Sequence, residues 1–293
     1  MTRGRRERLL EMGIGYGAAV VALCFFLLPV WWMVSTSLKT PVEAFAMPPK
    51  LFFTPTLENY RSVLFGTPVR VPGQGEIAGT DVHFVRAIVN SAIVSLGSLA
   101  LALLIGTPAA YALARYRFRG KRDIALFILS TRMAPPLGVL IPFYLLFSRA
   151  QLLDTHLALI VMYTMMNLSI VVWMMTGFFR ELPRELEEAA KVDGGSTLVT
   201  LRTITLPLAA PGLAATAILG LLFSWNEFLW AATLTSNAAR TAPVSVLGFM
   251  NFREIVWGNL TAAGTLITLP PLIFALAAQR NLVRGLTMGA VRG

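Results

Sequence analysis

Few side chains in this 293-residue sequence combine a type and a spacing that could do chemistry. Arg132 and Glu227 each interrupt an otherwise apolar stretch, and Asn167 and Asn226 add amide groups in such stretches. A charge at the centre of a bilayer costs roughly 3 kcal/mol unless it faces protein or a water-filled cavity. These residues therefore either line or gate a polar pathway or form a structural network inside a helical bundle. Catalytic groupings do not assemble. Gly120-Lys121-Arg122 lacks the upstream Gly and the Ser/Thr of a phosphate-binding loop. Gly194-Gly195-Ser196-Thr197-Leu198 lacks the closing Gly of a nucleophile elbow, and Gly13-Ile14-Gly15-Tyr16-Gly17-Ala18 follows no strand. The single cysteine, Cys24, excludes an internal disulfide and a zinc cluster, and two histidines, His83 and His156, argue against a multi-His metal centre. No catalytic residue and no metal ligand is assigned, and the pattern suits a conduit better than an enzyme.

The elements that must position these residues are membrane spans. Apolar residues make up 56% of the chain and charged ones 14%, with a mean hydropathy of +0.67. A soluble domain carries roughly 25% charged residues. A crossing needs about 20 apolar residues. Six segments meet that length: 14–34, within 87–114, 124–147 (interrupted by Arg132 and Pro135-Pro136), 157–179, within 206–235, and within 255–279. Pro108, Pro135-Pro136 and Pro270-Pro271 are expected to interrupt helices at membrane depth, which is tolerated where backbone lines a cavity or packs on protein. The first segment is longer than a signal-peptide core and lacks a small-residue cleavage site, so an uncleaved anchor is expected.

The net charge of +10 is explained by its distribution, with no need for nucleic acid. The termini and even-numbered connections hold Arg3, Arg5, Arg6, Arg8, the cluster 115–122, then Arg180, Arg184, Lys191 and Arg202, and finally Arg280, Arg284 and Arg292. The opposite side holds half as many Lys and Arg, most of them in one long loop. The positive-inside bias then places both termini in the cytoplasm. The expected fold is an all-α integral membrane protein with six transmembrane helices.

Two connections exceed simple turns. The outer loop, 35–86, is Pro-rich and extended, with one helical candidate after Thr56 as N-cap; it is either a lid or a docking surface. The stretch 69–81 is a looser part of it. In the cytoplasmic connection 180–205, Pro183 is expected at a helix start, Glu185, Glu187 and Glu188 fall where the helix dipole favours anions, and Gly194-Gly195 stop the helix. Ser196 caps a second short helix, 197–203. Leu182, Leu186, Ala189 and Ala190 share a narrow face suited to another protein's groove or to a helical hairpin.

The run Glu188-Ala189-Ala190, then Gly194, then Ile204 and Leu206-Pro207 resembles the E-A-A…G…I-x-L-P signature of permease subunits of binding-protein-dependent ABC importers. Tyr111-Ala112-Leu113-Ala114-Arg115, Trp225-Asn226-Glu227-Phe228, Leu57-Glu58-Asn59-Tyr60 and the tail from Gly285 to Gly293 are similar to the carbohydrate-uptake branch that includes the second maltose permease. The resemblance implies the ABC importer permease fold, with an anchor helix and outer loop over 1–83, a core over 84–282 containing the coupling loop 180–207, and a cytoplasmic tail over 283–293. It implies that Glu188, Ala189, Ala190, Asp193, Gly194, Ile204, Leu206 and Pro207 form the ATPase-coupling site, and it adds Trp225 to the pathway candidates. It also implies partners: a second permease subunit, two cytoplasmic ATPase subunits that hold ATP and Mg, an external solute-binding protein, and the lipid of a bacterial or archaeal inner membrane. This chain itself is then expected to bind no cofactor. A proton-coupled secondary transporter and a membrane enzyme using Arg132 and Glu227 are the competing expectations.

Overall fold

The computed structural model describes residues 3–44, 46–71, 75–77, 83–250 and 256–290. In chain order its elements are α1 (Arg3–Ser37), α2 (Pro41–Ala44), α3 (Glu58–Phe65), β1 (Val69–Val71), β2 (Gly75–Ile77), α4 (Phe84–Arg115), α5 (Lys121–Ser130), α6 (Pro136–Arg149) and α7 (His156–Glu181). There follow α8 (Glu185–Val192), α9 (Thr197–Thr200), a π-helical turn at Leu201–Thr205, α10 (Leu206–Leu208), α11 (Ala210–Trp225), α12 (Leu229–Leu234), α13 (Ala242–Ser245), a 3-10 turn at Val246–Phe249 and α14 (Trp257–Ala290).

Four described helices are long and apolar enough to cross a membrane: Met12–Ser37 of α1, α4, α7, and Trp257–Leu276 of α14. A fifth results if Thr197–Leu208 and Ala210–Trp225, bent by 77°, count as one broken span. The third expected span is instead two helices, α5 of 10 residues and α6 of 14. Pro135 separates them in an extended conformation and Pro136 starts α6, a position that tolerates a fixed φ and a missing N–H. Pro108 and Pro270-Pro271 instead lie inside the continuous helices α4 and α14 and break neither.

The chain divides into two compact units. The first comprises the segment up to Phe84 together with Val246–Ile267. Here the outer loop is folded rather than merely extended. Asn59, 1% exposed, donates through Nδ2 to the carbonyls of Ser37 at 2.9 Å and Lys39 at 2.8 Å. Ser37 Oγ lies 2.7 Å from Tyr60 Oη, and Asn259 Nδ2 donates to Ser62 Oγ at 2.9 Å. A side chain at Gly258 would run into Asn59, so glycine lets α14 approach α3. Thr56 assists the start of α3 through Oγ1, which accepts from Glu58 N at 3.2 Å, although Leu57 occupies the N-cap position. The stretch expected to be loose contains the antiparallel β1–β2 pair, with Val69 opposite Ile77, and the other regular elements among the described residues are helical.

The second unit comprises Val85–Ser245 and the chain from Thr268. It is organised around α7 and α11. Val171, Met175 and Phe179 are fully buried in a cluster with Ala102, Ala110 and Tyr111 of α4, and a Cβ at Gly106 would lie 2.7 Å from Val171 Cγ1. That close approach brings the C-terminal end of α4 beside the connection that follows α7. At the other end of the unit, Phe143 and Trp230 pack edge to face with centroids 5.6 Å apart. Asp154, at φ 58°, there receives the backbone N–H groups of Ser236, Asn237, Ala238 and Ala239 at 2.9–3.2 Å.

Candidate functional site: the α8 connection and the helix breaks

The connection after α7 is built on backbone chemistry first. Leu182 is extended at φ −71° and ψ 134°, as the residue before proline tends to be, so α7 ends and α8 starts only at Glu185. Pro183 therefore precedes the helix instead of opening it. Asp193 terminates α8, and Gly194 follows at φ 85°, a conformation L side chains resist. Ser196 then accepts from Val199 N at 3.4 Å to cap α9, and the π-helical turn carries the chain through Ile204 into Leu206-Pro207 at the head of α10.

The two central carboxylates of α8 have opposite environments. Glu187 is 5% exposed. Its Oε1 accepts from Arg115 Nε at 2.9 Å and from Thr205 Oγ1 at 3.2 Å, and its Oε2 accepts from Tyr111 Oη at 2.9 Å. Arg115 also donates through Nη2 to the carbonyl of Leu182 at 3.1 Å. Tyr111 is held edge-on by Phe179, with centroids 5.6 Å apart. Glu188, Ala189, Lys191, Asp193 and Gly194 are exposed, and so are the apolar side chains of Leu186, Val192, Leu198 and Val199. The face expected from Leu182, Leu186, Ala189 and Ala190 is divided: Leu182 packs inward on the Phe179 cluster and Ala190 is half-buried, while Leu186 and Ala189 remain outside.

Glu187 was not singled out by spacing, because its acidic neighbours in the first turn look alike in one dimension. The pairing of Tyr111 with Arg115 at i, i+4, facing one way from a helix end, signals an acidic partner there, and the tertiary structure selects Glu187.

The other side of this connection is cation-rich. A cavity of about 890 Å³ between α5 and α7 has apolar walls that include Leu126, Leu129, Val172 and Trp173, with Lys121 and Arg180 among the charges on its lining. Partial burial, then the nearby Arg180, Arg184 and Arg117 charges, lower the pKa of Lys121 from its ordinary value.

The pathway candidates separate into two groups. Arg132 lies exposed in the break between α5 and α6, its guanidinium 4.5 Å over the Phe223 ring and within 3.5 Å of the Met166 carbonyl. Asn226 and Glu227 occupy the break between α11 and α12. Asn226 is exposed, with Nδ2 donating to the Leu222 carbonyl at 2.8 Å, and Glu227 Oε1 accepts from Trp230 N at 2.8 Å. Asn167 and Trp225, 1% and 4% exposed, are instead buried within the chain. Asn167 Nδ2 donates to Ser224 Oγ at 2.7 Å, which joins α7 to α11, so its amide serves packing and does not face open space. Arg132 and Glu227 thus belong to different helix breaks and meet different partners.

Comparison with known proteins matches this arrangement to a family. Residues 84–288 fit the binding-protein-dependent transport system inner membrane component. The chain is 37% identical over 273 residues to the trehalose transport system permease protein SugB of Mycobacterium tuberculosis, covering 92% of this chain and 93% of that one. It is 34% identical to the trehalose/maltose transport system permease protein MalG of Thermococcus litoralis, covering 99% of both. Among solved structures, a bacterial ABC transporter involved in the import of the acidic polysaccharide alginate superposes with a TM-score of 0.73 over 94% of this chain at 22% identity. These matches favour a transport subunit over the secondary-transporter and enzyme expectations. With a buried Glu187, an exposed Glu188 and a glycine stop in a loop between spans, the chain belongs to the inner membrane components of binding-protein-dependent ABC importers.

Proposed function

We propose that this permease imports a carbohydrate or polyol across a bacterial or archaeal inner membrane, as half of a translocation pathway completed by a second permease subunit. Six spans with both termini in the cytoplasm, a core over 84–282 and an anchor with its outer loop over 1–83 are the matching architecture. ATP and Mg are held by two cytoplasmic ATPase subunits, and an external binding protein delivers the solute. The matched relatives named for trehalose and maltose transport support the carbohydrate assignment.

The observation that carries the coupling role is the exposed end of α8. Glu188, Ala189 and Leu186 stand exposed on a short helix whose other side is tied down through Glu187. Such a helix offers a partner one carboxylate, small residues for close approach and a few apolar contacts. Asp193 and Gly194 end it, and Ile204, Leu206 and Pro207 return the chain to the next span. Arg132, Asn226 and Glu227, at interrupted helices, are the residues of this chain best placed to meet a polar solute.

The test is recovery of the ATPase subunits with the tagged permease from membranes, together with uptake of labelled trehalose, maltose, glucose and sorbitol. Glu188→Ala and Ala189→Leu should reduce ATPase recovery at unchanged permease abundance, and uptake of one of the four probes should require ATP and the binding protein. Full ATPase recovery in both variants would remove the docking assignment.

A further inference from the structure

We propose that Glu187, clamped by Arg115, Tyr111 and Thr205, is the joint that makes the docking helix and the inner end of α4 move as one body. The proposal rests on the docking assignment above and adds the route by which force leaves α8.

The geometry joins three elements at one carboxylate and a fourth through Arg115. Tyr111 and Arg115 come from the last turns of α4, Glu187 from α8, and Thr205 from the turn that leads into α11. The second arm of Arg115 holds the carbonyl of Leu182, at the end of α7. The side chains of the ion pair are both 7% exposed. Glu187 therefore has its charge balanced and both carboxylate oxygens bonded, and its partner Tyr111 belongs to the buried cluster of Phe179, Leu201, Ala114 and Met175.

A burial of this kind brings rigidity more than net stability. Separating a buried ion pair leaves two desolvated charges, so the contact resists partial opening much more than an apolar contact of the same size. Among the described residues, the exposed face of α8 has no such ties. A push or pull on Glu188 is thus resisted at its sequence neighbour, and it passes to α4 and α11 rather than bending the loop at Gly194. Glu187 is a positioning residue in this scheme, since it acts through Arg115 and touches neither solute nor nucleotide.

The experiment uses the assembled complex of permeases and ATPases in lipid nanodiscs, with Cys24→Ser and spin labels on cysteines at Val192 of α8 and Leu104 of α4, both exposed. The label separation is measured with no nucleotide and with ATP plus vanadate, alongside ATPase recovery and ATP hydrolysis. In the otherwise native chain the separation stays constant between the two conditions. Glu187→Gln keeps the size and removes the charge, and it should raise the population at altered separation by about tenfold, the scale of one charged hydrogen bond. Tyr111→Phe should raise it by a smaller factor, about fivefold, because it deletes one bond to the carboxylate and leaves those from Arg115 and Thr205 in place. ATPase recovery and hydrolysis persist in both, because Leu186, Glu188 and Ala189 are untouched. If Glu187→Gln fails to assemble, the milder Tyr111→Phe decides. A separation that changes with nucleotide in the native background, or one that both variants leave unchanged, overturns the joint. Loss of the docking reading has its own signature, namely ATPase recovery that ignores Glu188→Ala, and the proposal falls with it.

Discussion

Arg115 and Glu187 lie far apart in the sequence, yet Arg115 Nε donates to Glu187 Oε1 at 2.9 Å inside the protein, while Glu188 beside it stands exposed. Adjacent glutamates on a helix point about 100° apart, so one can be captured by the bundle while the next is offered to a partner. Glu187→Ala strands the Arg115 charge and should lower stability by about 3–5 kcal/mol. Glu188→Ala should stay within about 0.5 kcal/mol of the native chain. Thermal unfolding of the purified permease in detergent distinguishes them, and equal losses would contradict the assignment of inside and outside.

Gly194 has φ 85° and no heavy atom within 4 Å of a built Cβ, so any substitution there acts through the backbone alone. Gly194→Val should cost about 1–2 kcal/mol and reduce uptake by moving the end of α8. Gly194→Asn should be nearer neutral, because Asn adopts this region more readily. Uptake that is equal in the two variants would show that the turn has no such requirement.

Asp154 has a pH signature. Partial burial acts to raise its pKa, but the N–H groups of Ala238, Ala239, Ser236 and Asn237 outweigh it and hold the carboxyl at about 2, against an ordinary 3.8. Because the folded value is depressed, the charged form's contribution to stability is complete above 3.8 and is lost as pH falls through about 2. The stability gap between the native chain and Asp154→Asn should therefore be constant from neutral pH down to the ordinary carboxylate range, then close. Denaturation monitored across that acid range checks it, and a gap that widens on acidification would reverse the sign.

Asn167 and Arg132 should respond in opposite ways. Asn167→Ala deletes the donor to Ser224 in the α7–α11 contact and should destabilise by about 1–3 kcal/mol. Arg132→Met removes an exposed cation over Phe223, worth about 0.5–1 kcal/mol, and its long bond to the Met166 carbonyl, and should alter uptake with the fold retained. Melting and uptake measured on the same preparations separate the two, and an Arg132→Met chain with native uptake would remove it from the pathway.

Topology is open to labelling. In a Cys24→Ser background, a cysteine at Phe52, 96% exposed, should react with an impermeant maleimide added outside, and one at Val192, 88% exposed, only after the membrane is opened. Reaction of both from the same side would contradict the cytoplasmic placement of α8. Gln74, another outer-loop position, and the last residues of the carbohydrate-branch tail, Val291–Gly293, lie outside the described residues.

Composition and periodicity determine the membrane class and most of the spans, because lipid demands long runs of apolar residues with the backbone bonded internally. They also determine the stop at Gly194 and the cap at Ser196, since each depends on the local φ/ψ preferences of one or two residues. The signature from Glu188 to Pro207 is legible for the same reason: its residues lie in one connection at fixed short spacings. What only the tertiary structure decided is which polar groups are inside. Asn167 and Arg132 both interrupt apolar stretches, yet one reaches Ser224 on another helix and the other lies exposed at a break. Glu185, Glu187 and Glu188 share one helical turn, and only the close approach of α4, allowed by the missing side chain at Gly106, brings Tyr111 and Arg115 to Glu187. Burial and ion pairing depend on distances between residues remote in sequence, and no one-dimensional spacing encodes those distances.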